Sequence, residues 1–152
     1  MTPAPAPASA SARVLAPAPA LTPSPDSAPA GLLLFAHGAR DARWAQPFEA
    51  VAARVRAARP STPVRLAYLE FMTPDLAQAG ADLVAQGCPR VEVMPLFLGA
   101  GGHVRKDLPV LIDALRAAHP GVHFGLHPAV GEIDTVVRAM AAAALATLEA
   151  GA

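Results

Sequence analysis

Gly31-Leu-Leu-Leu-Phe-Ala-His37-Gly38 opens as an unbroken apolar run and stops on an imidazole. A strand with one wet face alternates apolar and polar residues. This run does not alternate, so it is expected to lose both faces to the core, as a strand inside a parallel sheet does. Downstream, Phe48, Val51, Ala52 and Val55 recur at helical spacing, with Arg54, Arg56 and Arg59 on other faces. Pro60 and Pro63 stop that helix, and Val64 to Tyr68 reads as a second strand. Thr73-Pro-Asp75 reads as a helix start, with a hydroxyl cap, proline in the first turn and an acid at the positive end. Leu76, Ala79, Leu83 and Val84 form its apolar stripe, and Gly87 closes it. Arg90 to Pro95 is a third strand, continuing through Leu96-Phe-Leu98 into the loop Gly99-Ala-Gly-Gly102. Leu108, Leu111, Ile112 and Leu115 mark a helix that ends at His119-Pro-Gly121, and Val122 to Leu126 is the fourth strand. Ile133, Val136, Val137, Met140, Leu145 and Leu148 mark the last helix. The order βαβαβαβα predicts an α/β fold: a three-layer α/β/α arrangement around a four-stranded parallel sheet.

The chain has 152 residues, enough for one domain with an appendage. Residues 1–30 hold eight of the 17 prolines and ten alanines, with only Arg13 and Asp26 charged. Proline at that density removes backbone donors and favours extended chain, so a disordered tail is expected there and a globular domain over residues 31–150. The same prolines interrupt any apolar stretch of the kind a signal peptide needs. Twelve basic and twelve acidic residues balance to zero, which argues against nucleic acid or an anionic membrane as partner. No apolar run approaches the roughly 20 residues of a membrane span, and a cytoplasmic protein is expected. The single cysteine, Cys88, excludes a disulfide within the chain and any multi-cysteine metal site.

Loops that follow parallel strands gather at one edge of the sheet, where open α/β folds bind ligands. His37 follows strand one, Glu70 follows strand two, and His103 follows strand three after the glycine-rich loop. Each stands 33 residues beyond the last. Two imidazoles and a carboxylate suit Co2+, Fe2+, Ni2+ or Zn2+, and equally suit proton transfer near neutral pH. Singly, each also reads as a hydrogen-bonded or solvated strand end. Arg40, Arg43, Arg105 and Lys106 flank the same edge and are candidates for binding an anionic ligand. The glycine loop lacks both the Walker and the G-x-G-x-x-G spacing, so a nucleotide site is not indicated. No G-x-S-x-G is present either. His119, His123 and His127 are interrupted by Pro120 and Gly121 and are assigned to surface or packing, as are Trp44 and Cys88.

Three segments carry a resemblance. Phe35-Ala-His-Gly-Ala-Arg-Asp41, Ala67-Tyr-Leu-Glu-Phe-Met-Thr-Pro74 and Met94-Pro-Leu-Phe-Leu-Gly-Ala-Gly-Gly-His-Val-Arg-Lys-Asp-Leu-Pro109 resemble the small class II chelatases of the CbiX/SirB family, in order and spacing, over about residues 31–145. The resemblance implies a chelatase-like fold and the insertion of Co2+ or Fe2+ into sirohydrochlorin, for cobalamin or sirohaem synthesis; nickel chelatases are relatives. It places metal-binding and proton-accepting histidines on His37 and His103 and an active-site acid on Glu70. It implies a homodimer, a divalent metal as substrate and no organic cofactor. Ala39 stands where the family usually has serine or threonine, and the histidine-rich tail of some cobalt-specific members is absent.

Such a reaction needs a metal held in an incomplete coordination shell, since a closed four-ligand site would keep it. It also needs acceptors for the two ring protons. Glu70 is suited to orienting a histidine, binding the metal or accepting a proton. Arg40, Arg43, Arg105 and Lys106 would meet the substrate's carboxylates, and Phe71, Met72, Leu96 and Phe97 would line an apolar wall. Two alternatives use the same residues: a carrier that binds metal or tetrapyrrole without turnover, and a zinc-assisted hydrolase.

Overall fold

The structure, a computed structural model, describes residues 29–99 and 101–149 and, of His103, the backbone alone. Most of the expected tail, residues 1–28, lies outside the described residues. The elements run β1 (Ala30–Ala36), α1 (Gln46–Ala58), β2 (Val64–Tyr68), α2 (Leu76–Ala85), β3 (Arg90–Pro95), α3 (Gly102–Ala118), β4 (His123–Leu126) and α4 (Asp134–Glu149), with short 3-10 turns at Ala42–Ala45 and Val130–Glu132.

All pairings are parallel, in the spatial order β2-β1-β3-β4. β1 is interior, as its unbroken apolar run requires. Leu33 and Phe35 enter one core with Val91, Val93 and Phe124, under α2 and α3. Leu34 and Ala36 enter a second core with Val64 and Tyr68, under α1. The chain leaves β1 toward β2 on one side and leaves β3 toward β4 on the other. A single handedness of crossover then puts α1 on one face and α2 and α3 on the opposite face. The gap between the carboxyl ends of β1 and β3 is the topological switch point, where the departing loops diverge and leave a crevice.

Two local features differ from the sequence expectation. The α2 cap is Asp75, not Thr73. The Asp75 carboxylate accepts from the Gln78 backbone N–H at 2.8 Å, and the Gln78 side chain accepts from the Asp75 N–H at 3.1 Å. This reciprocal box satisfies two orphan donors, where a hydroxyl at Thr73 would satisfy one. Pro74 lies before the helix, and its carbonyl takes the Tyr68 N–H at 3.0 Å, closing part of the open edge of β2.

The second difference is α4. Its apolar stripe is where the periodicity puts it, but its main packing is against the adjacent 3-10 turn. Val137, Met140, Leu145 and Leu148 remain 42–72% exposed. Beside the start of α4, an apolar cavity of about 500 Å³ opens between Val51 of α1 and Ile133 and Val136.

Phe124 is fully buried on the edge strand β4 and ties that strand to the α3 face. Phe124→Ala is expected to lower the free energy of unfolding by about 3–5 kcal/mol through lost transfer energy and the cavity left behind. Urea unfolding at an unchanged m-value checks it.

Candidate functional site

β1 ends at Ala36 and delivers His37 directly to the switch point. The His37 ring packs edge-on against Phe97, with ring centroids 6.2 Å apart, so β3's continuation fixes the imidazole from the side. β2 ends at Tyr68 and delivers Glu70 two residues later. His37 Nε2 and Glu70 Oε1 stand 3.1 Å apart, each side chain about half exposed. Two of the three expected residues are therefore brought together from two separate loops.

The backbone holds those loops together. The Glu70 N–H donates to the His37 carbonyl at 3.0 Å, and the Leu69 N–H donates to the Ala36 carbonyl at 2.9 Å. Gly38 has a positive φ of 90°, and a Cβ there would overlap the Glu70 carbonyl oxygen. That oxygen also accepts from the Met72 N–H at 2.8 Å. Glycine is required on both counts, conformation and space. Next comes Phe71 at φ 62°, the one non-glycine residue with positive φ among the described residues. Holding an aromatic residue there costs about 1–2 kcal/mol.

His103 lies in the first turn of α3, which starts at Gly102 after the glycine loop. Its backbone is at the same carboxyl edge, while its side chain lies outside what is described. Among the described residues no group of three or more His, Cys, Asp or Glu is clustered for metal binding. His37 and Glu70 are the two donors the described residues bring together here.

An open cleft of about 510 Å³ adjoins His37, lined by Phe48, Leu96, Phe97, Leu98, Gly101 and Val104. Leu96 and Phe97 belong to the expected apolar wall, but both are largely buried, while Leu98 and Phe71 carry the exposed apolar surface. Met72 packs into the α1-side core. Phe48 and Leu98 were not expected in this wall. Phe48 sits in the α1 stripe, where periodicity reads only as core, and Leu98 looks like the tail of a strand.

The four flanking cations fall into two groups. Arg43 is bidentate on Asp41, with Nη2 to Oδ2 at 2.9 Å and Nε to Oδ1 at 3.2 Å. Those bonds, and the Arg43 N–H capping onto the same carboxylate, hold Asp41 below the usual carboxylate range. Arg105 Nη2 meets Glu132 Oε1 at 3.3 Å. Among the described residues Arg40 and Lys106 make no ion pair; Arg40 instead lies over the Phe71 ring, its guanidinium carbon 5.3 Å from the centroid.

Of the remaining histidines, His119 packs near the Phe124 ring. His127 Nε2 is 2.7 Å from Glu92 Oε2, a surface pair across β3 and β4. Cys88 is buried in the core, and burial pushes its thiol pKa up, away from the thiolate a metal ligand needs. Trp44 stacks on Phe48 with centroids 4.6 Å apart. No helix among the described residues is long and apolar enough to cross a membrane.

A parallel sheet with an imidazole–carboxylate pair open to solvent at its switch point places the chain among the doubly wound α/β proteins, a class that binds ligands at that edge. More narrowly, the chain belongs to the CbiX family, whose model matches residues 31–146. It is 32% identical over 82 residues to the sirohydrochlorin cobaltochelatase of Saccharolobus solfataricus, and 30% identical over 88 residues to that of Methanocaldococcus jannaschii. The matches cover 54% and 58% of this chain and 62% of each relative, so the chain spans less than two thirds of the curated relatives it matches. Among solved structures, a CbiX protein from Marinobacter aquaeolei VT8 superposes with a TM-score of 0.70 at 35% identity, covering 80% of this chain and 98% of that one. The sirohydrochlorin chelatase SirB from Bacillus subtilis subspecies spizizenii, in complex with cobalt, superposes with a TM-score of 0.61 at 25% identity, covering 72% of this chain but 47% of that one.

Gly38→Ala is expected to cost about 1–3 kcal/mol of stability, because the new methyl must displace the Glu70 carbonyl. Gly99→Ala, where a Cβ meets nothing within 4 Å, is expected to stay within about 0.5 kcal/mol of the parent. Chemical denaturation of both variants checks the contrast.

Proposed function

We propose that this chain inserts a divalent metal, Co2+ or Fe2+, into sirohydrochlorin, releasing two protons, in cobalamin or sirohaem synthesis. The observation that carries the reading is the His37–Glu70 pair, 3.1 Å apart and half exposed at the switch point. The names and identities of the curated relatives support the substrate.

In this reading the metal is a substrate. His37 Nε2 and Glu70 Oε1, which face each other, would hold it between them, and His103 would supply a second imidazole from the first turn of α3. Two nitrogens and one oxygen leave coordination positions for the tetrapyrrole nitrogens. As metal–nitrogen bonds form, the two ring N–H protons leave to neutral imidazole, to Glu70 or through them to water. Lys106, with no ion pair among the described residues, has its charge available to a substrate carboxylate; Arg43 and Arg105 would first have to leave Asp41 and Glu132. The half-exposure of the pair favours exchange over retention, which turnover requires.

Two copies complete the enzyme in this reading. The cleft is open, and the superposition covers 47% of the SirB chain, which supports one chain supplying half of the assembly. The uncovered stripe on α4 and the apolar cavity beside it supply the surface that a second copy would bury. The cytoplasmic location expected from the sequence goes with this reading.

Anaerobic absorbance of the protein with sirohydrochlorin and Co2+ or Fe2+ tests it. Multiple turnovers above the spontaneous rate are expected, falling at least about 100-fold in His37→Ala and about 10–100-fold in Glu70→Gln. A wild-type rate equal to the blank, or a spectral change that stops at one equivalent, would sink the chelatase reading.

Sedimentation tests the assembly: the parent is expected at twice the 15.5 kDa chain mass. Leu145→Glu with Leu148→Glu should sediment as a single chain, because two carboxylates cannot enter an apolar interface unpaired.

A further inference from the structure

We propose that Phe71 is a substrate-contact residue that sets affinity for the macrocycle: its exposed ring, backed by Arg40, forms a platform on which the planar tetrapyrrole stacks while Arg40 meets one of its carboxylates. The inference rests on the reading above, that the ligand is a flat conjugated ring bearing carboxylates.

Four observations carry it. Phe71 directly follows Glu70 in the loop that carries the carboxylate to His37. It is 59% exposed, although an aromatic side chain gains from burial and its neighbour Met72 is partly buried against the α1-side core. Its backbone has a positive φ of 62°, rare for phenylalanine, at the centre of a tight turn closed by the Met72 N–H on the Glu70 carbonyl. Strain of this kind persists where the surroundings over-determine it and concentrates at ligand sites. Here the Glu70 carbonyl is pinned between Gly38 and the Met72 N–H, and this fixes the turn at Phe71.

Arg40 is the second half of the platform. Its guanidinium lies 5.3 Å from the ring centroid, and it makes no ion pair among the described residues. Arg43, three residues on, is paired with Asp41. The contrast leaves Arg40 as the cation that holds the ring from one side and keeps its charge for a ligand. Ala39, Arg40, Phe71, Met72 and Thr73 border a shallow cavity of about 310 Å³ beside this pair, which gives a peripheral carboxylate somewhere to sit.

Metal-free sirohydrochlorin titrated against the full-length protein, together with steady-state insertion kinetics, tests the proposal. Phe71→Ala is expected to raise Kd and KM for sirohydrochlorin at least about tenfold, the scale of losing one aromatic stacking contact, while kcat stays within about threefold of wild type. Phe71→Tyr should restore both constants. Phe71→Gly, which removes the ring and relieves the left-handed φ, should lose affinity as Phe71→Ala does while keeping the parent's melting temperature or exceeding it. Arg40→Gln should weaken binding, and its effect should shrink in the Phe71→Ala background. Unchanged Kd and KM in Phe71→Ala, with wild type binding normally, overturns the platform and leaves the chelatase reading standing. Failure of the wild type to bind sirohydrochlorin overturns both.

Discussion

β1 must lose both of its faces at once. Leu33 and Phe35 on one side and Leu34 and Ala36 on the other are all essentially buried, so helices must cover the sheet above and below this strand. The strand also pairs on both sides, with β2 and β3, and the chain reverses its direction of travel across the sheet beside it. Everything at the carboxyl edge follows. The reversal opens the crevice, His37 is the first residue after the strand, and the register of β2 against β1 brings Glu70 alongside. A polar substitution within Leu33 to Ala36 would thus reach the site without touching it, through the loss of the strand that aims it.

The interlock between the β1 and β2 loops has the character of a joint rather than of two independent turns. Gly38 surrenders its side-chain space to the Glu70 carbonyl. Glu70 returns a backbone hydrogen bond to His37, and its side chain meets the imidazole. Three contacts between the same two loops determine the separation of the pair more firmly than side-chain rotamers would. The imidazole is then gripped from β3 by Phe97, so all three strands that border the crevice contribute to one nitrogen's position.

Much of this was legible in the residues. The strands announce themselves as short apolar runs, and a polar residue placed just after such a run has few places to go except the carboxyl edge. His37 and Glu70 are found that way. What the residues conceal is conformation and occupancy. Phenylalanine carries no mark of a positive φ; Phe71 acquires it from Gly38 and Met72, whose roles depend on a contact between two loops. Arg43 reads as an available cation until Asp41, two residues earlier, is seen to claim it. Thr73 and Asp75 are both good caps, and the choice falls to Asp75 because Gln78 completes the box and Pro74 is engaged with β2. For α4, periodicity shows that one face is apolar without showing what that face meets.

The uncovered face of α4 and the openness of the cleft have one physical root. A sheet of four strands has two faces and two edges to protect, and this chain provides three helices that pack on the sheet and a fourth that turns away from it. The sheet face under Met94 and Leu96 is therefore only partly roofed, and apolar residues alone line the cavity there. The cleft nearby has a similar wall of Phe48, Leu96, Phe97, Leu98 and Val104, to which it adds the His37 imidazole. Apolar surface of that kind is unfavourable in water in proportion to its area. The two openings differ in the half-exposed imidazole, which stands beside Glu70 at the second alone. Their adjacency along Leu96 and Leu98, which line both, means that whatever covers the first also forms a wall of the second.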